Sequence, residues 1–335
     1  MSTKVILTHL PIHAAIDAND AIHVLYDDFS NGLLKYATNK TGTWVATTIF
    51  TDNVDTYHNA GFGISVDGAN KVHIVYTTSG DVVALYYRTD ASGSWITTKL
   101  VDYTDNIYGY GFSGPAIAAT SSGKVHIAFG GGASDLFYLN DLSGAWIEPI
   151  KLGDIGFGVD ASMALDLSGQ VYIAQDNPYG LKLAVVDAAG TPVSNTLIDG
   201  EDVDYGPNRW YPAIAVNKVD NSVYVSYWYW DTAPEPDVTL MKLWSSAGGI
   251  TSIDDAPNGP ESGITVDQNG KVHISYADPY TSKLKHATNE SGTWVVEELP
   301  TDAGSDDSDI LIDSTGKINV LYFNDATNSL SIISK

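Results

Sequence analysis

Cysteine is absent from the 335 residues. That removes disulfides, thiolate metal sites and cysteine nucleophiles together, and leaves the redox compartment open. Arginine is nearly absent, occurring only as Arg88 and Arg209. Basic residues are scarce as a class, with 17 Lys and Arg against 41 Asp and Glu, for a formal net charge of −24. Nucleic-acid affinity comes largely from cations that neutralise phosphates, so this balance argues against nucleic acid as a partner. It argues equally against an anionic membrane surface. Long apolar runs are missing, and no segment reaches the length of a membrane-spanning helix. The start, "MSTKVILTHLP", is too short and too lightly apolar for a secretory signal. The compartment stays open, extracellular if a leader was removed. No H-E-x-x-H, P-loop or Gly-rich dinucleotide motif is present, so no motif calls for a cofactor.

What the chain does have is repetition. "AIHVLYDD" at Ala21, "KVHIVYTT" at Lys71, "KVHIAFGG" at Lys124 and "KVHISYAD" at Lys271 are versions of one strand. "QVYIAQDN" at Gln170, "SVYVSYWY" at Ser222 and "KINVLYFN" at Lys317 complete a set of seven. Before each lies a short strand ending in Asp, Asn or Thr, then a tight turn such as "ANDA", "GANK" or "QNGK". After each comes a loop of variable length and a third strand, as in "LLKYATN" or "LKHATN". In four repeats a turn "TGTW", "SGSW", "SGAW" or "SGTW" then opens a fourth strand. Alternating β-branched and aromatic residues bounded by Gly, Asn and Asp turns are strand and hairpin signals. No segment carries an amphipathic helix.

The second-strand markers are His23, His73, His126, Tyr172, Tyr224, His273 and Asn319, spaced by about 49 residues. That is the length of a four-stranded propeller blade. The last repeat stops after its third strand, while "TKVILTHLP" precedes the first like an orphan fourth strand. The predicted fold is therefore all-β, a seven-bladed β-propeller of four-stranded antiparallel blades, with the N-terminal strand completing the last blade and leaving no open edge. It reads as a single domain, 1–335, with blades near 13–52, 61–102, 114–154, 160–202, 211–257, 261–302, and 308–335 plus 2–11.

The turns "TNKTGTW" (Thr38 to Trp44) and "TNESGTW" (Thr288 to Trp294) resemble the Asp-box of bacterial sialidase-type (BNR) repeat propellers, Ser-x-Asp-x-Gly-x-Thr-Trp. They keep the Gly, Thr and Trp and lack the Asp. The resemblance implies the propeller fold. It does not carry the activity, since sialidases hold their substrate carboxylate with an arginine triad and two arginines cannot build one.

A residue type recurring at one repeat position serves the repeat. His23, His73, His126 and His273 alternate with apolar neighbours and read as wall residues that bond a neighbouring backbone. His286 aligns with Tyr36, Tyr87 and Tyr138 and reads the same way. Trp44, Trp95, Trp146 and Trp294 read as packing between blades. Asp17, Asp67, Asp267 and Asp313 read as turn formers.

The pattern breaks on the face carrying the long loops. The segments 51–61, 102–114, 199–212 and 227–237 are irregular, aromatic and acidic, and read as ligand loops of blades two, three and five. Tyr57, Tyr108, Tyr110, Trp210, Tyr211, Trp228 and Trp230 could supply flat platforms for pyranose rings. Asp55, Asp204, Asp231 and Asn208 could bond sugar hydroxyls, and His58 and Arg209 add polar groups; Arg209 could clamp a carboxylate or pair with Asp204. The bland alternative is that these aromatics cover long loops and pack on each other. A second break lies at the ring's centre, where six blades place Gly63, Ala116, Ser162, Ala213, Gly263 and Asp309, and blade one His13. A His13–Asp309 pair could orient a general base, plug the channel or staple the closing blade. "GSDDSD" (304–309) and "DGEDVD" (199–204) could hold structural calcium, though solvated loops explain them as well.

Three functions follow: a lectin-like glycan-binding propeller with one principal site, a polysaccharide lyase or glycoside hydrolase on the same face, or a protein-interaction scaffold. The loops are not repeated from blade to blade and no carboxylate pair stands out for hydrolysis, which favours binding. The expected partner is a glycan or another small polar ligand, with a protein partner as the alternative.

Overall fold

The computed structural model describes residues 12–28, 32–50, 61–78, 83–102, 114–131, 135–154, 161–177, 180–200, 208–231, 237–255, 262–278, 283–301, 307–324, 327 and 329–335. Every regular element among them is a strand. Blade one comprises β1 (Ile12–Ile16), β2 (Ile22–Asp28), β3 (Leu33–Thr38) and β4 (Val45–Phe50). Blade two comprises β5 (Phe62–Val66), β6 (Val72–Thr78), β7 (Ala84–Thr89) and β8 (Ile96–Asp102). Blade three has β9 (Ala116–Ala119), β10 (Val125–Gly131), β11 (Asp135–Asn140) and β12 (Ile150–Asp154). Blade four has β13 (Ala161–Leu165), β14 (Val171–Asn177), β15 (Gly180–Val186) and β16 (Pro192–Gly200). Blade five has β17 (Asn208–Val216), β18 (Val223–Asp231), β19 (Val238–Ser245) and β20 (Gly249–Asp255). Blade six has β21 (Ser262–Val266), β22 (Val272–Asp278), β23 (Lys283–Thr288) and β24 (Val295–Glu298). Blade seven shows β25 (Ser308–Ile312), β26 (Ile318–Asn324) and β27 (Ser329–Ser334). Each sheet is an antiparallel meander in chain order. The strand expected from residues 2–11 lies outside the described residues.

The first strand of each blade packs on the first strands of both neighbours, and β25 packs on β1, so the ring closes. Hydrophobic cores lie between blades, one at each of the seven junctions. Between blades seven and one, for example, Leu321 and Phe323 meet Ile12, Val24 and Tyr26. The second strands are central in their sheets and sandwiched between blades, so β6, β10, β22 and β26 are buried along their whole length. That double burial is why these strands read as near-continuous apolar runs rather than as a clean alternation.

The turns follow one recipe. Asp67 Oδ1 accepts from Ala69 N at 2.8 Å and Lys71 N at 2.9 Å, and Asp17, Asp267 and Asp313 repeat the pattern. Such Asx turns let the side chain replace the backbone acceptor that a tight hairpin cannot offer. Within the same turns Asp20 and Asn70 take φ of 62° and 58°, a region that short polar side chains tolerate. Each repeat tryptophan packs on the preceding blade. Trp95 meets Tyr36 edge-on at 5.4 Å and Trp146 meets Tyr87 at 4.9 Å.

The repeat histidines bond side chains rather than the backbone that sequence suggested. His23, His73 and His126 each place Nδ1 2.6 Å from the hydroxyl of Tyr36, Tyr87 and Tyr138 on the third strand. The antiparallel register sets the second and third strands side by side, so their side chains meet before either reaches a free backbone group.

Candidate functional site

Blade five departs from the frame. Its first strand β17 and second strand β18 are nine residues long, against four or five in the other first strands and seven in the other second strands. Segments 208–211 and 227–231, expected as loop, are a strand extension in which Asn208, Arg209 and Trp210 pair with Trp230, Tyr229 and Trp228. Tyr and Trp favour a pleated, half-buried surface, so the strands continue past the ring until the Pro-rich segment after Asp231. The register shifts between Trp210 and Ala213, and Tyr211 sits in that bulge with φ of 55°. A left-handed tyrosine costs on the order of 1–2 kcal/mol and needs surrounding structure to hold it. Bulges re-aim side chains beside sites, and Tyr211 lines the central cavity.

The two faces of β18 differ. Trp228 and Trp230 share the face toward blade six and stack with centroids 5.9 Å apart and planes 17° from parallel. Trp228 is only 5% exposed, so it supports the stack from beneath and is not the open platform expected of it. Its place in the ladder opposite Met241, inside the sandwich, explains the burial. Trp230 is half-buried and its Nε1 donates to Asp237 Oδ2 at 3.0 Å. On the opposite face Tyr227 donates to Asp199 Oδ2 of β16 at 2.5 Å. The Lys242 ammonium lies 3.3 Å above the Tyr229 ring and 4.0 Å from Asp199, and Tyr229 donates to Asp231 Oδ2 at 3.3 Å. Asp231 is therefore engaged in a cluster that ties blade five to blade four.

Blade six repeats that cluster: Tyr276 donates to Asp254 Oδ2 at 2.9 Å, and Lys285 reaches Asp254 at 2.7 Å and Asp278 at 3.4 Å. Burial and the Asp254 carboxylate push the Tyr276 hydroxyl far above the usual tyrosine range. In blade one Lys35 pairs with Asp28, opposite Tyr26. Neither Lys242 nor Asp254 stands out in the sequence, and Asp199 and Tyr227 read there only as parts of the 199–204 and 227–237 segments. The signal was a Tyr in the second strand facing a Lys in the third, recurring in blades one, five and six.

The central cavity, about 250 Å³, is lined by the first strands and includes His13, Ser162, Tyr211, Asp307 and Asp309. His13 and Asp309 lie deep in the ring, half-buried because each borders the cavity. No hydrogen bond joins them. Asp309 Oδ2 accepts from Ala14 N and Oδ1 from Ile310 N, each at 2.8 Å. The His13 ring meets Phe62 edge-on at 5.4 Å. Burial holds the His13 imidazole down at about 4 and pushes the Asp309 carboxyl up to about 6, against its amide donors. Asp307 accepts from Ile12 N at 2.5 Å. These two acids join blade seven to blade one, so this part of the 304–309 run is not a solvated loop, and neither is Asp199 of the 199–204 run, half-buried against Tyr227 and Lys242.

Tyr57, His58, Tyr108, Tyr110 and Asp204 lie outside the described residues, as do the side chains of Arg209 and Trp210. Among the described residues, a stacked tryptophan pair stands on an extended hairpin whose bulge residue, Tyr211, lines the central cavity.

No protein-family model matches the chain, and no curated protein matches it in sequence. Solved structures do match in fold. An ulvan lyase, described as a new family of polysaccharide lyase, superposes with a TM-score of 0.64 at 9% identity over 99% of this chain and 93% of its own. An Aleuria aurantia lectin in complex with Fucα1-6GlcNAc gives a TM-score of 0.53 at 13% identity over 87% and 95%. An α-L-arabinofuranosidase from Fusarium graminearum gives 0.55 at 10% over 97% and 91%. Identity this low establishes a shared fold and nothing finer.

Proposed function

We propose that the chain is a carbohydrate-binding, lectin-like propeller with one principal site where the blade-five hairpin meets the central cavity. The observation that carries this reading is the Trp228–Trp230 stack, in which a buried indole backs a half-buried one on an extended strand. A rigid aromatic face suits the C–H face of a sugar ring and loses little entropy on binding. Polar groups within the cavity supply donors and acceptors for hydroxyls, and the acidic charge of the chain favours a neutral saccharide over an anionic one. Propellers of similar fold include a lectin seen with a fucosylated disaccharide, which supports a saccharide ligand.

A second reading, glycan cleavage, is favoured by one specific observation. His13 is held neutral at ordinary pH and shares its cavity with Tyr211, so an imidazole base and a phenol stand within one space. Two of the fold neighbours are named as glycan-cleaving enzymes. A glycan array with mass-spectrometric analysis of each bound sugar separates the two. Retention of intact glycan supports binding; shortened or unsaturated products support cleavage, and His13→Ala should then abolish them. Neither retention nor products on a broad panel would sink both readings and leave a protein partner.

A further inference from the structure

The opposite face, where the short turns lie, holds a site independent of the glycan reading. In blades one to three the tyrosine hydroxyl at Nδ1 of each repeat histidine can donate, which leaves an Nε2–H. In blade three Thr120 stands where most other blades have Asp, and His126 Nε2, like His23 Nε2, has no hydrogen-bond partner. In blades one and two the Nε2–H faces the Asp after the first strand. That contact is 3.5 Å for His23 and Asp17 and 3.3 Å for His73 and Asp67. Blade six differs twice. Its third-strand tyrosine is replaced by His286, whose Nε2 lies 3.1 Å from His273 Nδ1. His286 Nδ1 in turn lies 2.9 Å from Glu297 Oε1, which also pairs with Lys335.

This chain of contacts dictates the protons. An ionised Glu297 only accepts, so His286 carries its proton on Nδ1 and presents Nε2 as an acceptor. His273 must then donate from Nδ1, and its Nε2 is a bare lone pair. His273 is 1% exposed and its Nε2 has no hydrogen-bond partner.

The second difference is what that lone pair faces. Glu290 Oε1 is 3.9 Å away, and the donor atoms of Asp267, His273 and Glu290 all lie within 4.8 Å of one another. At the position of Glu290 the other histidine blades carry Lys40, Ala91 and Leu142. A buried acceptor turned toward two carboxylates is unfavourable unless a cation lies between them.

We propose that Asp267, His273 and Glu290 bind one divalent transition-metal ion of the zinc type on the turn face of blade six. One imidazole nitrogen and two carboxylate oxygens make a zinc-like donor set, with a fourth position for water. Calcium and magnesium prefer oxygen ligands throughout. Bonds of about 2.1 Å in tetrahedral array put donors roughly 3.4 Å apart, and the exposed Glu290 side chain can close the remaining gap. Asp267 is already oriented by Asn269 N and Lys271 N on Oδ1. Glu297 and His286 act as the outer support that fixes the tautomer of a metal-binding histidine. The ion joins a first-strand end, a second strand and the turn before a fourth strand, which makes its role structural.

The test is calorimetric titration of the untagged, chelator-treated full chain with Zn²⁺. One saturable site per chain, with a rise in unfolding temperature, is the expected result. Glu290→Lys, which copies blade one, should weaken binding at least about tenfold. His286→Tyr restores the hydroxyl of blades one to three and should weaken it about 10–100-fold through the tautomer alone. Absence of a saturable site up to about 1 mM Zn²⁺, or unchanged affinity in either variant, would overturn the proposal; that bound corresponds to binding weaker than about 4 kcal/mol.

Discussion

Two tryptophans two residues apart on one strand carry different work. Trp230 is half-buried with its indole edge bonded to Asp237, whereas Trp228 is enclosed beneath it. Truncating Trp230 to Ala is expected to cost about 2 kcal/mol of glycan affinity, near thirtyfold, as for other aromatic anchors, with the fold intact. Truncating Trp228 to Ala should instead cost about 3–5 kcal/mol of stability, because it leaves a cavity between blades five and six. Titration with the best glycan from an array, beside urea unfolding, checks both; full affinity in Trp230→Ala would remove the hairpin from the site. Sequence could name both residues as candidates, but alternation along a strand does not say which neighbour covers which face.

At the level of the element, blades are joined by side chains of one inner strand that accept amides of the next. Ser162 Oγ accepts from Ile214 N at 3.2 Å across blades four and five, and Asp309 Oδ2 accepts from Ala14 N at 2.8 Å across blades seven and one. The two acceptors occupy the same repeat position. At the closing junction the device is doubled by Asp307, with a charge-assisted bond to Ile12 N. Asp307→Ala should therefore destabilise by about 1.5–3 kcal/mol, since it leaves an amide unpaired at a buried seam. Ser162→Ala should cost nearer 1 kcal/mol. Equilibrium urea unfolding of both variants provides the comparison, and equal costs would deny the closing junction its special standing. The extended β17–β18 hairpin was only half legible: its aromatic content signalled strand, but the surrounding Asp, Gly and Pro residues signalled loop.

For the whole molecule, buried titratable groups set opposing responses to acid. Burial holds His126 at about 4 against 6.5 in an open chain. The unfolded chain thus binds the proton more readily, and stability is lost as pH falls from about 6.5 to about 4. Asp309 works the other way: its carboxyl sits at about 6 against 3.8, so the native state holds the proton more tightly and stability falls as pH rises through that interval. Thermal unfolding across pH 4–6.5 should show a shallower acid loss in His126→Asn, which copies blade seven, than in the parent chain. Asp309→Ser, which copies blade four, should show a steeper one. Slopes that change together in one direction would contradict the assignment.

The ring is written in local patterns: period, blade number, strand order and Asx turns all follow from motifs repeated along the chain. Repetition averages away the noise that makes any single strand hard to read, and it identified His273 as part of the frame. Tertiary structure decided what depends on a neighbouring blade or strand. It buried Trp228, turned Asp309 toward Ala14 instead of His13, and set His273 against His286 with its Nε2 lacking a hydrogen-bond partner. A residue's type is written in its own repeat, but its partners come from strands and blades packed beside it, and those partners settle exposure, charge and tautomer.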